Sequence, residues 1–247
     1  MHRFFIDKDQ IKGDKILIRG NDTRHIRDAL RLNIGDKIEV SSEGYNYLST
    51  IENILKDKIE LRIISKEEGR SESKIEIILY QALSKGSKMD LIIQKNTEIG
   101  VKKFIGLITH RTIVKINDIK KEKKKIDRWN MIAAEAAKQS KRDFIPKVEN
   151  IQTFDEMLNA IKNEENIIVP YEDEKFQSIG DSLKSIESGR IILIIGPEGG
   201  FESEEIQKLR SIGGQIVSLG NRILRTETAG FVASAIILYE LGGLGVI

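Results

Sequence analysis

The sequence has no cysteine and only three histidines, His2, His25 and His110. Without thiols there are no disulfides, thiolate metal sites, iron–sulfur clusters or cysteine nucleophiles, which fits a reducing cytosol. The histidines are too scattered for a zinc motif, so no metal is expected. Residues 1–15 carry a charge every few positions and no apolar run, so no secretory signal is expected. Ala229–Ile247 holds one charge, Glu240, but Ser234, Gly242, Gly243 and Gly245 break its pattern. A membrane span needs about 20 apolar residues. The stretch therefore predicts a buried C-terminal helix of about three turns with a short tail, and no membrane partner. The phosphate loop GxxxxGK[ST] and the dinucleotide fingerprint GxGxxG are both missing, which argues against a nucleotide hydrolase and against NAD or FAD.

What is present fits a globular chain of one to two domains: 247 residues, 40% hydrophobic and 32% charged. Net charge is only +2, but its distribution is uneven. From Lys102 to Arg142 thirteen Lys/Arg stand against four Asp/Glu, and from Glu149 to Arg210 six stand against fourteen. That asymmetry suggests a polyanion-binding face beside a more acidic region. The alternative is a solvated lysine-rich helix, because Lys120–Lys125 alone supplies five of the thirteen.

The first 70 or so residues read mostly as strands: Lys15–Arg19, Lys37–Val40, Tyr45–Ile54 and Lys58–Ser65. A short helix over Asp22–Leu32, capped by Asp22 or Thr23, interrupts them. A helix against a small closed barrel would bury those strands. The polar segment Glu67–Ser73 predicts the domain boundary. Beyond it, strands at Lys74–Ala82, Lys103–Thr109, Asn166–Pro170, Arg190–Ile195 and Gln215–Leu219 alternate with helices. The helices fall at Ser87–Ile99, Ile126–Arg142, Phe176–Ile186, a segment capped by Ser203, and Thr226–Leu241. This alternation predicts an α/β fold with a parallel sheet covered by helices.

Three loops follow buried strands at the presumed carboxyl edge of that sheet, where ligands bind in open α/β folds. They are Pro170-Tyr171-Glu172-Asp173, Gly196-Pro197-Glu198-Gly199-Gly200 and the run from Leu219 to Ala229. Gly196, Gly199 and Gly200 remove Cβ atoms where a backbone turns sharply or approaches a ligand. In the third loop Arg222, Arg225, Thr226, Glu227 and Thr228 crowd before a helix rich in small residues. Thr226 or Glu227 as a helix cap is the plain reading, and it leaves both arginines unexplained.

Ile195–Phe201 (IGPEGGF) with Leu219–Ala229 (LGNRILRTETA) resembles the two hallmark segments of the RsmE family. Its members are SPOUT-class methyltransferases acting on N3 of a uridine in 16S rRNA. The likeness extends to Met1–Phe5, His25–Arg31, Gln81–Gly86, Gln94–Gly100 and the Arg128–Arg142 helix, and so covers nearly the whole chain. Ala29, Asn96 and Ile99 depart from the family's usual residues at positions concerned with packing.

The resemblance implies a PUA-like RNA-binding β-barrel over residues 1–70 and a SPOUT domain over 74–247. The C-terminal segment of that SPOUT domain would thread as a trefoil knot. The three loops would hold S-adenosylmethionine through Pro170, Tyr171, Glu172, Ile195, Gly196, Pro197, Gly199, Gly200, Leu219, Gly220, Ile223, Leu224, Thr228 and Ala229. Arg225, or an arginine of a partner subunit, would stabilise the anionic base, and Glu198 would accept the proton or orient the donor. RNA would be held by Arg3, Arg24, His25, Arg27 and Arg31 on the barrel, and by Lys85, Lys88, Lys95, Arg128, Lys138 and Arg142 on the catalytic domain. Arg24, Arg27 and Arg31 at helical spacing would form one cationic stripe. A cytoplasmic homodimer acting on the 30S subunit completes the expectation, with the small face of Ala229, Ala233 and Ala235 suiting close helix contact. The competing readings are a ribose 2′-O-methyltransferase on rRNA or tRNA and a non-catalytic RNA-binding ribosome-assembly factor.

Overall fold

The computed structural model describes residues 1–114, 118–187 and 189–245. The chain divides into two compact units, Met1–Glu72 with Ala137–Phe144, and Ser73–Ala136 with Ile145–Ile247.

In the first unit β1 (Arg3–Phe5), β2 (Ile11–Lys12), β3 (Lys15–Arg19), β4 (Lys37–Ser42), β5 (Tyr45–Ile54) and β6 (Lys58–Glu68) form one sheet in the order β1-β4-β5-β6-β3-β2. Only β1 and β4 pair in parallel. Alternating residues such as Ile16, Ile18, Ile38, Val40, Ile59 and Leu61 point inward and meet Phe4, Ile26 and Ile51 in one core. Register shifts at Leu48/Ser49 and Ile51/Asn53 bulge the β5–β6 pair, and bulges add twist that curls a sheet. The expected helix over Asp22–Leu32 is shorter. It begins as α1 (Asn21–Arg24) after Gly20 and continues as a π-type turn over His25–Ala29. Arg31 lies beyond it with φ +53°, so the predicted arginine stripe is broken.

In the second unit β7 (Ile75–Ala82), β8 (Lys103–Ile108), β9 (Lys147–Thr153), β10 (Ile167–Pro170), β11 (Gly189–Ile195) and β12 (Gln215–Val217) form a sheet in the order β12-β10-β11-β7-β8-β9. Every pair is parallel. Among the described residues the unit's helices are α2 (Lys88–Ile99), α3 (Ile119–Gln139, of which 137–139 count with the first unit), α4 (Phe154–Ile161), α5 (Ile179–Leu183), α6 (Ser203–Ser211) and α7 (Thr226–Glu240). Ile191–Ile195 of β11 are all buried, as a strand covered on both faces requires. Clusters on the two faces include Leu79, Ile92, Leu193 and Ile237 on one side, and Ile192, Ile194, Leu209 and Ile216 on the other.

Several element boundaries differ from expectation for local reasons. α3 starts at Ile119 because Asp118 Oδ1 accepts the Lys120 N–H at 2.8 Å. The helix expected over Phe176–Ile186 shrinks to α5. The Glu174 carboxylate captures the N–H groups of Lys175, Phe176 and Gln177 at 3.0, 2.9 and 3.3 Å and holds that stretch as a loop. Glu202, not Ser203, is the N-cap of α6. β9 and α4 were not anticipated; Thr153 and Glu156 form the capping box between them.

From β12, at the edge of the sheet, the chain returns through residues 219–225 to α7, which packs on α2, α5, β7 and β11. The family resemblance reads that return as the knot.

Candidate active site

β10, β11 and β12 all end at one edge of the parallel sheet, and their three following loops enclose a cleft of about 840 Å³. That is the carboxyl edge, where open α/β sheets take ligands. Pro170, Tyr171 and Glu172 supply the first wall, and Ile195–Phe201 the floor. Residues 218–226 with Ala229 supply the third side. Every expected donor-binding residue lines the cleft except Thr228. Leu219 and Leu224 are half-buried, whereas Ile223 stands 86% exposed at the rim.

The glycine loop is bare for reasons set by the protein itself. A Cβ on Gly196 would meet the Phe201 ring at 2.9 Å. Gly200 has φ +69°, and a Cβ there would collide with the Glu172 carboxylate. At Gly220, also with positive φ, a Cβ would meet no atom within 4 Å among the described residues beyond its chain neighbours.

Two polar devices pin the loops. The buried Thr226 hydroxyl donates to Gly196 O at 2.7 Å and accepts from Gln81 Nε2 at 2.9 Å, joining the ends of β7 and β11 to the start of α7. Thr226 is the first helical residue rather than the cap. Arg225 occupies the cap position in extended conformation, with no side-chain cap bond. Arg111, after β8, donates from Nη1 to Gly199 O at 2.8 Å and is held by Glu202 at 2.8 and 2.9 Å. Nothing in the spacing of residues 109–112 marked Arg111 as part of this site.

Charge around the cleft is partly neutralised. Lys88, at the first turn of α2, bridges Glu198 at 3.0 Å and Glu227 at 3.5 Å. Burial works to raise the Glu198 pKa. Its backbone amide and the Lys88 ammonium outweigh that and hold the carboxyl below the ordinary carboxylate value. Tyr171 is shifted upward by partial burial and by the Asp173 carboxylate its hydroxyl meets at 3.1 Å. Arg222 and Arg225 are exposed and form no ion pair among the described residues.

A family model described as "RNA methyltransferase domain" matches residues 71–238, and one described as "RNA methyltransferase PUA domain" matches residues 18–64. The chain is 35% identical to ribosomal RNA small subunit methyltransferase E of Bacillus subtilis, over 97% of each. This chain belongs to that methyltransferase family. The family's protein from Mesomycoplasma hyopneumoniae is 32% identical over 93% of this chain and 95% of its own length. The crystal structure of the Neisseria gonorrhoeae enzyme bound to S-adenosyl methionine superposes with TM-score 0.87 at 30% identity, over 97% of each chain.

The residues present fit that family's methyl donor. The cleft lies within the usual 300–1,000 Å³ of small-molecule sites, and it pairs apolar walls with exposed backbone and with charges of both signs for a zwitterionic ligand.

Several cations expected to face RNA in this family are paired with carboxylates of the chain itself, some buried and some exposed. Arg3 is 8% exposed, paired with Glu39 at 3.0 Å and Asp143 at 2.9 Å, and it donates to the carbonyls of Lys141 and Arg142. Arg142 is 3% exposed and held by Glu72 at 2.6 Å. Both were expected as RNA contacts, and both side chains are instead buried and engaged by carboxylates of the first unit. Lys138 pairs with Asp22 at 2.8 Å, Lys95 with Glu98 at 2.9 Å, Arg128 with Asp90, and Arg27 with Asp28 and Lys56 O. His25 packs edge-on against Phe4, ring centroids 6.0 Å apart. Arg24, Arg31 and Lys85 are exposed with no ion pair among the described residues.

Proposed function

We propose that this chain transfers a methyl group from S-adenosylmethionine to N3 of a uridine in 16S rRNA, acting as a cytoplasmic homodimer on the 30S subunit. Residues 1–70 serve as the RNA-binding domain and 74–247 as the catalytic domain. The observation that carries this reading is the cleft at the carboxyl edge of β10–β12, walled by GPEGGF and LGNRILRT.

The donor, when bound, supplies an electrophilic methyl on a sulfonium sulfur. The remaining chemistry falls to the chain. Uridine N3 must lose its imide proton, and the resulting charge spreads over the pyrimidine oxygens. Arg225, exposed at the cleft and unpaired among the described residues, is the cation placed to stabilise that charge. Glu198 is a poor base because Lys88 and its own amide already stabilise its ionised form; its role is to orient Lys88 and the glycine loop. The proton leaves to solvent, and positioning alone can supply on the order of 7–11 kcal/mol of the barrier. N3 lies on the pairing edge, so the base must enter unpaired or flipped. Arg24, Arg31, Lys85 and Arg222 are the free cations proposed to meet phosphates.

The dimer reading rests on α7. From Ala229 to Leu238 the helix carries no polar side chain but Ser234, which fits a helix buried all round, yet Val232, Ala235 and Ile236 are only half-buried and Tyr239 is 66% exposed. Of the expected small face, Ala233 points into the core, and Ala229 and Ala235 remain for a partner.

The test is transfer of a radiolabelled methyl group to 30S particles and to naked 16S RNA, with nucleoside mass spectrometry of the product. We expect N3-methyluridine, and a fall of about 10²–10³-fold for Arg225→Ala. A ribose-methylated product overturns the N3 assignment, and full activity of Arg225→Ala overturns the role of that side chain.

A further inference from the structure

Glycines at 196, 199 and 200 leave the loop after β11 with more backbone freedom than any other wall of the cleft. The Gly199–Gly200 peptide is nevertheless pinned at both ends. Its N–H, on Gly200, donates to Pro197 O at 3.0 Å, closing the turn from within. Its C=O, on Gly199, accepts from Arg111 Nη1 at 2.8 Å, a bond from another part of the chain. With both ends engaged, the plane cannot rotate without breaking one of them.

Arg111 is itself fixed. Its Nε and Nη2 form a fork on the two Glu202 oxygens at 2.8 and 2.9 Å. Glu202 caps α6, and its N–H donates to Glu205 Oε2 at 2.9 Å. The other Glu205 oxygen accepts the His110 N–H at 3.0 Å, beside Arg111 in the chain. Glu205 is 7% exposed, so this carboxylate ties the loop after β8 to the start of α6 from a buried position. The Arg111–Glu202 pair is half-exposed, a setting in which ion pairs contribute little to stability. What the pair does is hold a third donor, Nη1, on the glycine loop.

We propose that Arg111 is a positioning residue for the methyl donor: it preorganises the Gly199–Gly200 peptide and so sets donor affinity without touching the reacting atoms. This rests on the reading of the cleft as the S-adenosylmethionine site. Lysine cannot replace it, because an ammonium lacks the planar fork that engages Glu202 and Gly199 O together.

The experiment compares wild type, Arg111→Ala, Arg111→Lys and Glu202→Gln. It measures S-adenosylmethionine Kd by calorimetry without RNA, melting temperature, and KM for RNA. The expected result is donor Kd raised about ten-fold or more in both Arg111 variants, the loss expected for a hydrogen bond to a charged group. Arg111→Lys should melt within about 2 °C of wild type, with KM for RNA unchanged. Glu202→Gln, which loosens the fork, should weaken donor binding less than Arg111→Ala does. Donor affinity within two-fold of wild type in Arg111→Lys overturns the proposal, because it assigns the residue to fold stability alone. If Arg111→Ala does not fold, the lysine and glutamine variants carry the same comparison. Failure of the wild-type protein to bind the donor refutes the reading of the cleft instead.

Discussion

Replacing Thr226 with valine removes one oxygen and leaves the side-chain volume nearly unchanged, so any effect belongs to hydrogen bonding rather than to a cavity. In the native protein that oxygen donates to Gly196 O at 2.7 Å and accepts from Gln81 Nε2 at 2.9 Å. Gln81 is 1% exposed and its Oε1 has no partner among the described residues, so the variant leaves the Gln81 amide with, among them, a 3.4 Å bond to Ala82 O. Each buried polar group left unsatisfied costs about 1–3 kcal/mol. For one acceptor and one donor that keeps its longer bond to Ala82 O, the combined loss should lie in the lower part of the summed range, about 2–4 kcal/mol. At roughly 2–4 °C per kcal/mol for a chain of this size, the melting temperature should fall by about 5–15 °C. Scanning calorimetry reads this directly, and titration with S-adenosylmethionine shows whether the freed loop also binds more weakly. Thr226→Ser keeps both bonds and should stay close to wild type. A valine variant that melts within about 1 °C of wild type would refute the view that this hydroxyl joins the two loops.

The two classes of arginine in the first unit should separate cleanly. Arg3→Ala strands the buried carboxylate of Asp143 and should lower stability by about 3–5 kcal/mol. Arg24→Ala and Arg31→Ala should leave melting unchanged while each lowers the slope of RNA affinity against salt by about 1, measured by fluorescence anisotropy; equal salt slopes in all variants would remove both residues from the RNA face. Asp143 supplies a pH test. Burial pushes its pKa up, but hydrogen bonds from Asn46 and Ser71 and the charge of Arg3 prevail and hold it below the ordinary value. A depressed carboxyl stabilises the fold above its unfolded pKa, about 4, and that contribution fades as pH falls through the lower folded value. Asp143→Asn should therefore show a flatter loss of stability below about pH 4. Parallel acid-unfolding curves for the two proteins would count against it.

Much of the architecture could be read from the residues, because the apolar runs at Ile75–Ala82 and Ile191–Ile195 and the glycine loop that follows the second carry strong local signals. The cleft was legible for the same reason: its walls are contiguous segments following strands. What escaped was set by contacts distant in sequence. β9 alternates around polar residues such as Glu149 and Gln152 at the sheet edge, so its pattern is weak. The expected helix at Phe176 lost to one carboxylate, Glu174, binding three successive amides. Arg3 and Arg142 looked like RNA contacts because charge alone cannot distinguish a free cation from one whose counter-ion lies 140 or 70 residues away. Arg111 was missed for the converse reason, since its partner is a backbone carbonyl 88 positions further on.

The short segment Ala137–Phe144 has a practical bearing on any attempt to dissect the molecule. A fragment cut after residue 72 would contain every strand of the first sheet but would lack Asp143 and the carbonyls of Lys141 and Arg142. Arg3 would then keep only Glu39 as a counter-ion at the heart of its own module. Truncation at the apparent border should give an insoluble or partly folded product, and a tethered copy of residues 137–144 should restore it.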